Sequence, residues 1–344
     1  VARHYPEHEF LFVSHSQGAG FLRRSYDKVL EFISPETLVR HHRTTSLPML
    51  VRNLRFWMRR RSMEEDLLEA VEHFKPDLGI ADYEFFVPRV CKRLGIPCLS
   101  LDHQHIVTCP IPAIPMRQWP SYVGLYLSVT RLFSAASEFM VVSFFMHGYQ
   151  RNGGVFRVVP PILREPLLNI QPEDRGHVVS YQSTSTFKGY LPLLRAIGRP
   201  VLVYGHPSTG REGNLHFKPP SEEGFLEDLA GCSYVICGGS HTLMSEALHL
   251  GKPVFAFPIV DLFEQYLNVH HLQRLGYGRF TTDFRSRPEL LRDFEKHLDR
   301  YRENIRKGSF CGNDEVFGLL DRYLRYGTVI RPSRAEGGSV HGSA

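Results

Sequence analysis

Cys237-Gly238-Gly239-Ser240-His241-Thr242-Leu243-Met244-Ser245-Glu246-Ala247-Leu248-His249-Leu250-Gly251-Lys252-Pro253 is the stretch that decides how this 344-residue chain folds. An apolar run, Tyr234-Val235-Ile236-Cys237, leads into two glycines. Ser240 is a good N-cap for a helix that Gly251 ends. Glycines let a ligand approach the backbone closely, and the exposed amides of a first helical turn favour an anion such as a diphosphate. On that helix Leu243, Ala247 and Leu250 share the face that would pack on a sheet, while Thr242, Ser245, Glu246 and His249 share another. Glu246 can then accept hydrogen bonds from a vicinal diol such as that of a ribose. Taken alone, the same segment is also what a tight strand-to-helix turn with a solvated helical face looks like.

Working outward, Pro253-Val254-Phe255-Ala256-Phe257-Pro258 reads as the next strand and is followed by Phe263-Glu264-Gln265-Tyr266-Leu267-Asn268. Glu264 and Gln265 thus fall just past a strand's carboxyl end, where doubly wound folds bind ligands. Upstream, His177–Tyr181 and Pro200–Gly205 read as strands, with helices over Leu191–Ile197 and Phe225–Leu229. The first half shows the same alternation. Strands are predicted over Glu9–Ser14, Asp77–Asp82, Ile96–Leu101, Ala136–Ser143 and Val155–Val159, with helices over Leu47–Phe74 and Phe86–Leu94. Apolar strands separated by helices signal βαβ units and parallel sheets. Pro160-Pro161, Pro166 and Pro172 mark a linker. The chain is therefore predicted to be α/β, with two Rossmann-like doubly wound domains facing a cleft: residues 1–160, a linker over 161–176, residues 177–327, and a small, polar, disordered tail over 328–344.

Hydrophobic residues at 42% and charged residues at 22% exclude disordered and fibrous classes. A net charge of +5 with no basic motif points to no nucleic-acid partner. Cys91, Cys98, Cys109, Cys232, Cys237 and Cys311 form no C-x-x-C pair and no zinc-like spacing, which fits buried thiols in the reducing cytoplasm. The most apolar long stretch, 124–146, is interrupted by Arg131 and Glu138, against a bilayer span. His103-Gln104-His105 has no third ligand at a compelling spacing, so no metal site is expected.

The run from Gly238 through Thr242, Glu246-Ala247 and Gly251-Lys252-Pro253 to Glu264-Gln265 and Asn268 resembles the nucleotide-sugar donor signature of the GT-B glycosyltransferases. The likeness is to the bacterial and archaeal branch related to MurG and to the plant-type UDP-glycosyltransferases. Phe217-Lys218-Pro219-Pro220 and Phe225–Leu229 look like the base-binding turn and the helix after it. The match covers about residues 177–280. A weaker one in the first half takes in Asp102-His103-Gln104, Ser143-Phe144-Phe145 and Pro161-Ile162-Leu163-Arg164.

The resemblance implies sugar transfer from a nucleotide-diphosphate sugar, UDP-linked by the same likeness, to a glycan, lipid-linked or small-molecule acceptor. It implies a metal-independent, inverting reaction with no cofactor, the nucleotide sugar being a co-substrate. Gly238, Gly239, Ser240, His241 and Thr242 would then hold the diphosphate, Glu246 the ribose, Glu264 and Gln265 the sugar. Phe217 and Pro219 would frame the base, and Ser183 would add a phosphate contact.

The general base should come from the first half, where Asp102 and His103 end a strand; His105, Asp82 and His15 hold similar positions. The glycine-rich loop that relatives carry after their first strand is not visible. The chain opens at Val1, so the first strand and its loop are expected to be missing. That departure keeps two other readings open: a UDP-sugar epimerase of the same fold, and a non-catalytic nucleotide-sugar binding module. Finally, Arg52, Arg55, Trp57 and Arg59 interleave charge with apolar residues. This is either a peripheral contact with the inner face of a membrane or a solvated helix packing its apolar side on its own domain.

Overall fold

The computed structural model describes residues 1–35, 39–40, 42–44, 51–111, 114–182, 187–285 and 287–330. The second half is built on β10 (His177–Tyr181), β11 (Val201–Tyr204), β12 (Gly210–Glu212), β13 (Leu215–Phe217), β14 (Cys232–Cys237), β15 (Val254–Ala256) and β16 (Gly278–Phe280). They form one seven-stranded sheet in the order β12-β13-β11-β10-β14-β15-β16, parallel except for the edge strand β12. Every residue of β14 is buried. A run that is apolar but for Ser233 suits a central strand covered on both faces. Its neighbours hold it in register, Ser180 beside Ile236 and Ile236 beside Phe255.

In the first half, β5 (Gly79–Ala81), β6 (Cys98–Asp102), β7 (Glu138–Val142), β8 (Gln150–Arg151) and β9 (Phe156–Val159) make a five-stranded sheet in the order β5-β6-β7-β9-β8. Two shorter ladders stand apart: β1 (Phe12–Ser14) parallel to β2 (Val29–Glu31), and β3 (Val39–Arg40) antiparallel to β4 (Arg43–Thr44). The predicted strand over Glu9–Ser14 is thus realised only at its end. The stretch 124–146 divides into a helix, a π turn over Val129–Phe133 and β7. Among the described residues no helix is long and apolar enough to cross a membrane.

The helices that position the site are α1 (Leu54–Phe74) and α2 (Val87–Leu94), packed beside β5, and α3 (Trp119–Ser128). In the second half they are α4 (Glu222–Gly231), α5 (His241–His249) and α6 (Phe263–Arg274). One continuous apolar core joins the halves, with Ile106, Val141 and Phe144 in the same cluster as Val179, Leu243 and Phe263. The last helix, α7 (Asn313–Tyr326), lies within the sequence-predicted span 177–327 but packs on the first sheet. Its Tyr323 hydroxyl donates to the Gly79 carbonyl at 3.1 Å, and Tyr5 donates to Asp321 at 2.7 Å.

Candidate functional site

At the carboxyl end of β14 the chain turns through Gly238 and Gly239 into α5. Gly239 has φ 95°, and a Cβ there would come within 3.0 Å of Val269, so both conformation and space call for glycine. Ser240 and Thr242 are exposed. The Ser240 side chain makes no capping hydrogen bond, and the first turn of α5 carries no acidic residue. The start of α4, in the same domain, differs: Ser221 caps it through the Gly224 amide at 3.1 Å, and Glu222 and Glu223 lie in its first turn. The positive end of α5 is therefore left without the side-chain partners that α4 has, and it opens where an anion can approach.

His241 differs from its flanking hydroxyl residues. Its ring is buried, stacked 3.7 Å from His103 and 5.6 Å from Phe144 of the other half, and burial together with the neighbouring His103 holds it well below the ordinary imidazole range. Only its main chain belongs to the open helix end. Glu246, one turn further on, is 3% exposed. Arg164 of the linker grips it along one edge, Nε and Nη2 each donating at 2.9 Å. The third guanidinium nitrogen, Nη1, donates to Glu222 at 2.9 Å. Gln265 stands against the glycine turn, its Cβ 3.3 Å from the Cβ position of Gly239, and its Oε1 accepts from the Ile259 amide at 2.9 Å. Glu264 is half-buried. Burial raises its carboxyl, an effect that the neighbouring His103 opposes and Asp102 reinforces.

The opposing lip belongs to the first half. Asp102 is 2% exposed and accepts hydrogen bonds from the Ser100 hydroxyl, the His105 amide at 2.9 Å and His105 Nδ1 at 2.7 Å. Burial works against its charge, yet these donors prevail and hold the carboxyl below its ordinary value. His105 Nε2 lies 3.0 Å from the Ser134 hydroxyl. His103 Nδ1 donates to the Val142 carbonyl at 2.7 Å, and its Nε2 lies 2.8 Å from the Asn268 side-chain amide. The Asn268 amide is oriented by its own donation to the Gly239 carbonyl at 3.3 Å. Both ring nitrogens of His103 are thus engaged within the protein.

Asp82, at the end of β5, is exposed. The crowding of its carboxyl by the surrounding protein, and secondarily the Asp102 charge, push it up to about 6. Tyr83 beside it holds φ 46°, a costly left-handed conformation for a residue with a side chain, and stacks on Phe133 at 4.1 Å. That turn is fixed on both sides of Asp82, because Glu84 Oε2 accepts from the Val87 amide at 2.5 Å at the start of α2.

The structure thus brings Gly238, Gly239, Ser240, Thr242, Gln265, Asn268 and His103 together, with Glu246 a turn behind. Phe217 lies in the apolar core of the second half, so it can offer a ligand only its main chain, while Pro219 is exposed. Ser183 lies outside the described residues. His15 is exposed before a short helix. Arg164 was legible only as part of a matching tetrapeptide, because pairing between the linker and the helix depends on the tertiary fold.

The model of glycosyl transferase family 1 matches residues 2–299 of the chain. No curated protein matches it in sequence. Among solved structures, CalG4, the calicheamicin glycosyltransferase, superposes with a TM-score of 0.63 at 16% identity, covering 94% of this chain and 92% of that one. LpCGTa, solved in complex with UDP, gives 0.64 at 15% identity with 94% of each chain covered. The glycosyltransferase of kitacinnamycin gives 0.59 at 16% identity with 92% of each covered. These likenesses carry the fold, two parallel-sheet domains facing a cleft, and the family match carries the class of chemistry: the chain belongs to glycosyl transferase family 1 and is a glycosyltransferase of the GT-B fold.

Proposed function

We propose that this enzyme moves a sugar from a UDP-sugar to a hydroxyl acceptor by a single, inverting displacement that needs no metal. The observation that carries the reading is the amino end of α5, which has neither a side-chain cap nor an acidic first turn and has a buried carboxylate one turn behind it. The diphosphate sits on the amides of this turn and on the Ser240 and Thr242 hydroxyls, so that the helix end supplies the charge compensation a cation would otherwise give. Arg164 takes only one edge of Glu246, and a carboxylate has further lone pairs for a ribose diol. Glu264 and Gln265 face the sugar, the Phe217 main chain and Pro219 frame the base, and Ser183 adds a phosphate contact.

The base in this reading is Asp82. It is the carboxylate at the first-half lip that solvent reaches, and a value of about 6 leaves it ionised at neutral pH yet basic enough to matter. Asp102 and His103 hold the lip in shape instead. In the step itself the acceptor hydroxyl gives its proton to Asp82 while its oxygen bonds the anomeric carbon. The bond from that carbon to the phosphate oxygen breaks, and UDP leaves with the electron pair. That LpCGTa, a fold relative of 15% identity, was solved in complex with UDP supports the nucleotide by analogy.

Thermal shift with UDP tests the donor site. UDP at a hundred times its dissociation constant stabilises the fold by about 2.7 kcal/mol. Glu246→Ala removes most of that shift. A wild-type chain that answers to no nucleoside diphosphate would defeat the reading.

A further inference from the structure

Outside the cleft, the first half carries a basic groove between α1, α2 and the segment after α3. It consists of two adjoining hollows of about 330 and 450 Å³ that share Glu64 and Arg89. Arg60, Arg61, Arg89, Lys92, Arg93 and Arg131 line it, against the carboxylates of Glu64 and Glu65. Those two carboxylates are engaged with Arg93, at 3.4 and 2.9 Å. The Arg89 guanidinium lies over the Phe85 ring at 4.4 Å with its buried Nε unpartnered. Cationic charge therefore exceeds what the groove neutralises by itself.

The flanks of the groove are apolar. On α1, Leu54, Met58, Arg61 and Glu65 follow one another at helical spacing on a single face, and Leu54 and Met58 are 56% and 76% exposed. On the other side α3 has no charged residue and none that is buried. Its Trp119, Val123 and Leu127 stand 41–49% exposed and lead along the same face toward Arg131. A soluble anion would explain the cations and leave these side chains without a role. A bilayer interface uses both, apolar groups entering the acyl boundary and Lys or Arg meeting anionic headgroups. Trp57, by contrast, is half-buried, packed edge-on against Phe56 at 5.1 Å, so it belongs to the domain interior more than to this face.

We propose that this groove and its two apolar flanks form a docking surface for an anionic lipid membrane, which places the cleft at the bilayer surface. The inference stands apart from the donor site and is read without turnover. The test is co-sedimentation of the full chain with phosphatidylcholine vesicles, with and without phosphatidylglycerol. Binding is expected to the anionic vesicles alone and to fall steeply with salt. Reversal of the exposed cations in Arg61→Glu/Lys92→Glu/Arg131→Glu should weaken it at least about a hundredfold while the UDP thermal shift is kept. Met58→Ser/Trp119→Ser should weaken it and leave the salt dependence in place. Equal binding to neutral and anionic vesicles, a charge-reversed variant that binds as the wild type does, or capture of soluble polyphosphate with no vesicle binding would each overturn the proposal.

Discussion

The carboxyl ends of β6 and β14 meet at the seam between the halves, where His103 stacks on His241, and they are finished in opposite ways. After β6, Asp102, His103 and His105 are buried, with their polar side-chain atoms met by Ser100, Val142, Asn268 and Ser134. After β14, Ser240 and Thr242 are exposed and the helix they open has no side-chain cap. Groups already satisfied hold a shape, whereas unsatisfied groups at a surface are the ones that gain by meeting a ligand. On the proposed reading, the histidines and the aspartate at this strand's end serve the architecture, and the serine and threonine beside two glycines serve the substrate.

The sharpest way to break this contrast is through Asp82, the carboxylate that escapes the saturation of its own lip. Asp82→Asn should lower kcat by about 10²–10⁴-fold with little change in UDP binding, checked by steady-state kinetics and thermal shift. Wild-type kcat/KM should rise with pH through about 6 as the base ionises. The sign for stability runs the other way. The folded value lies above the model-peptide value, so the folded state holds this proton more tightly than the unfolded chain does, and stability falls as pH rises through the same window. Asp82→Asn should consequently not lower the neutral-pH Tm, whereas a loss of both Tm and turnover would make the residue structural.

Next in size is His103→Ala, which leaves the Asn268 side chain and the Val142 carbonyl without their partner inside the seam between the halves. Denaturant unfolding should show a loss of about 1–3 kcal/mol. His103→Gln, which restores one donor, should regain part of it together with activity. An unchanged Tm with abolished turnover would return His103 to the role of base. The smallest effect is expected at Ser240→Ala. The hydroxyl caps nothing in the free protein, so stability should move by less than about 0.5 kcal/mol. UDP affinity by calorimetry should fall by about two- to tenfold. A clear loss of stability would mean that this helix end is finished after all.

The second half was legible because its signals are local. Two glycines directly follow the apolar run Tyr234–Cys237, and β10, β11, β14 and β15 fall where apolar runs predict strands, whereas β12, β13 and β16 were not read from the sequence. The first half was less so. The strand predicted from Glu9 begins at Phe12, and the ladder it makes with β2 stands apart from the five-stranded sheet. Phe217, which the resemblance puts beside the base, has its side chain held in the core by strand pairing with Val203, so the apolar contact is not available and only its main chain is left for that part. The partners of Arg164 and Asn268 were hidden for a related reason. Each lies 80 or more residues away, as in Arg164 with Glu246 and His103 with Asn268.

The return of α7 to the first sheet means that the backbone passes between the halves twice, and the two passes touch. The Gly312 amide donates to the Pro161 carbonyl at 2.7 Å, and a Cβ on Gly312 would lie 2.5 Å from the Pro160 oxygen. Asn313 clamps the pair by bonding both the amide and the carbonyl of Leu163, at 2.8 and 2.9 Å. Two threads bound side by side act as a single pivot, so any swing of one lobe against the other turns about this point. A methyl group at Gly312 would wedge the threads apart and tilt the axis on which the jaws of the enzyme meet.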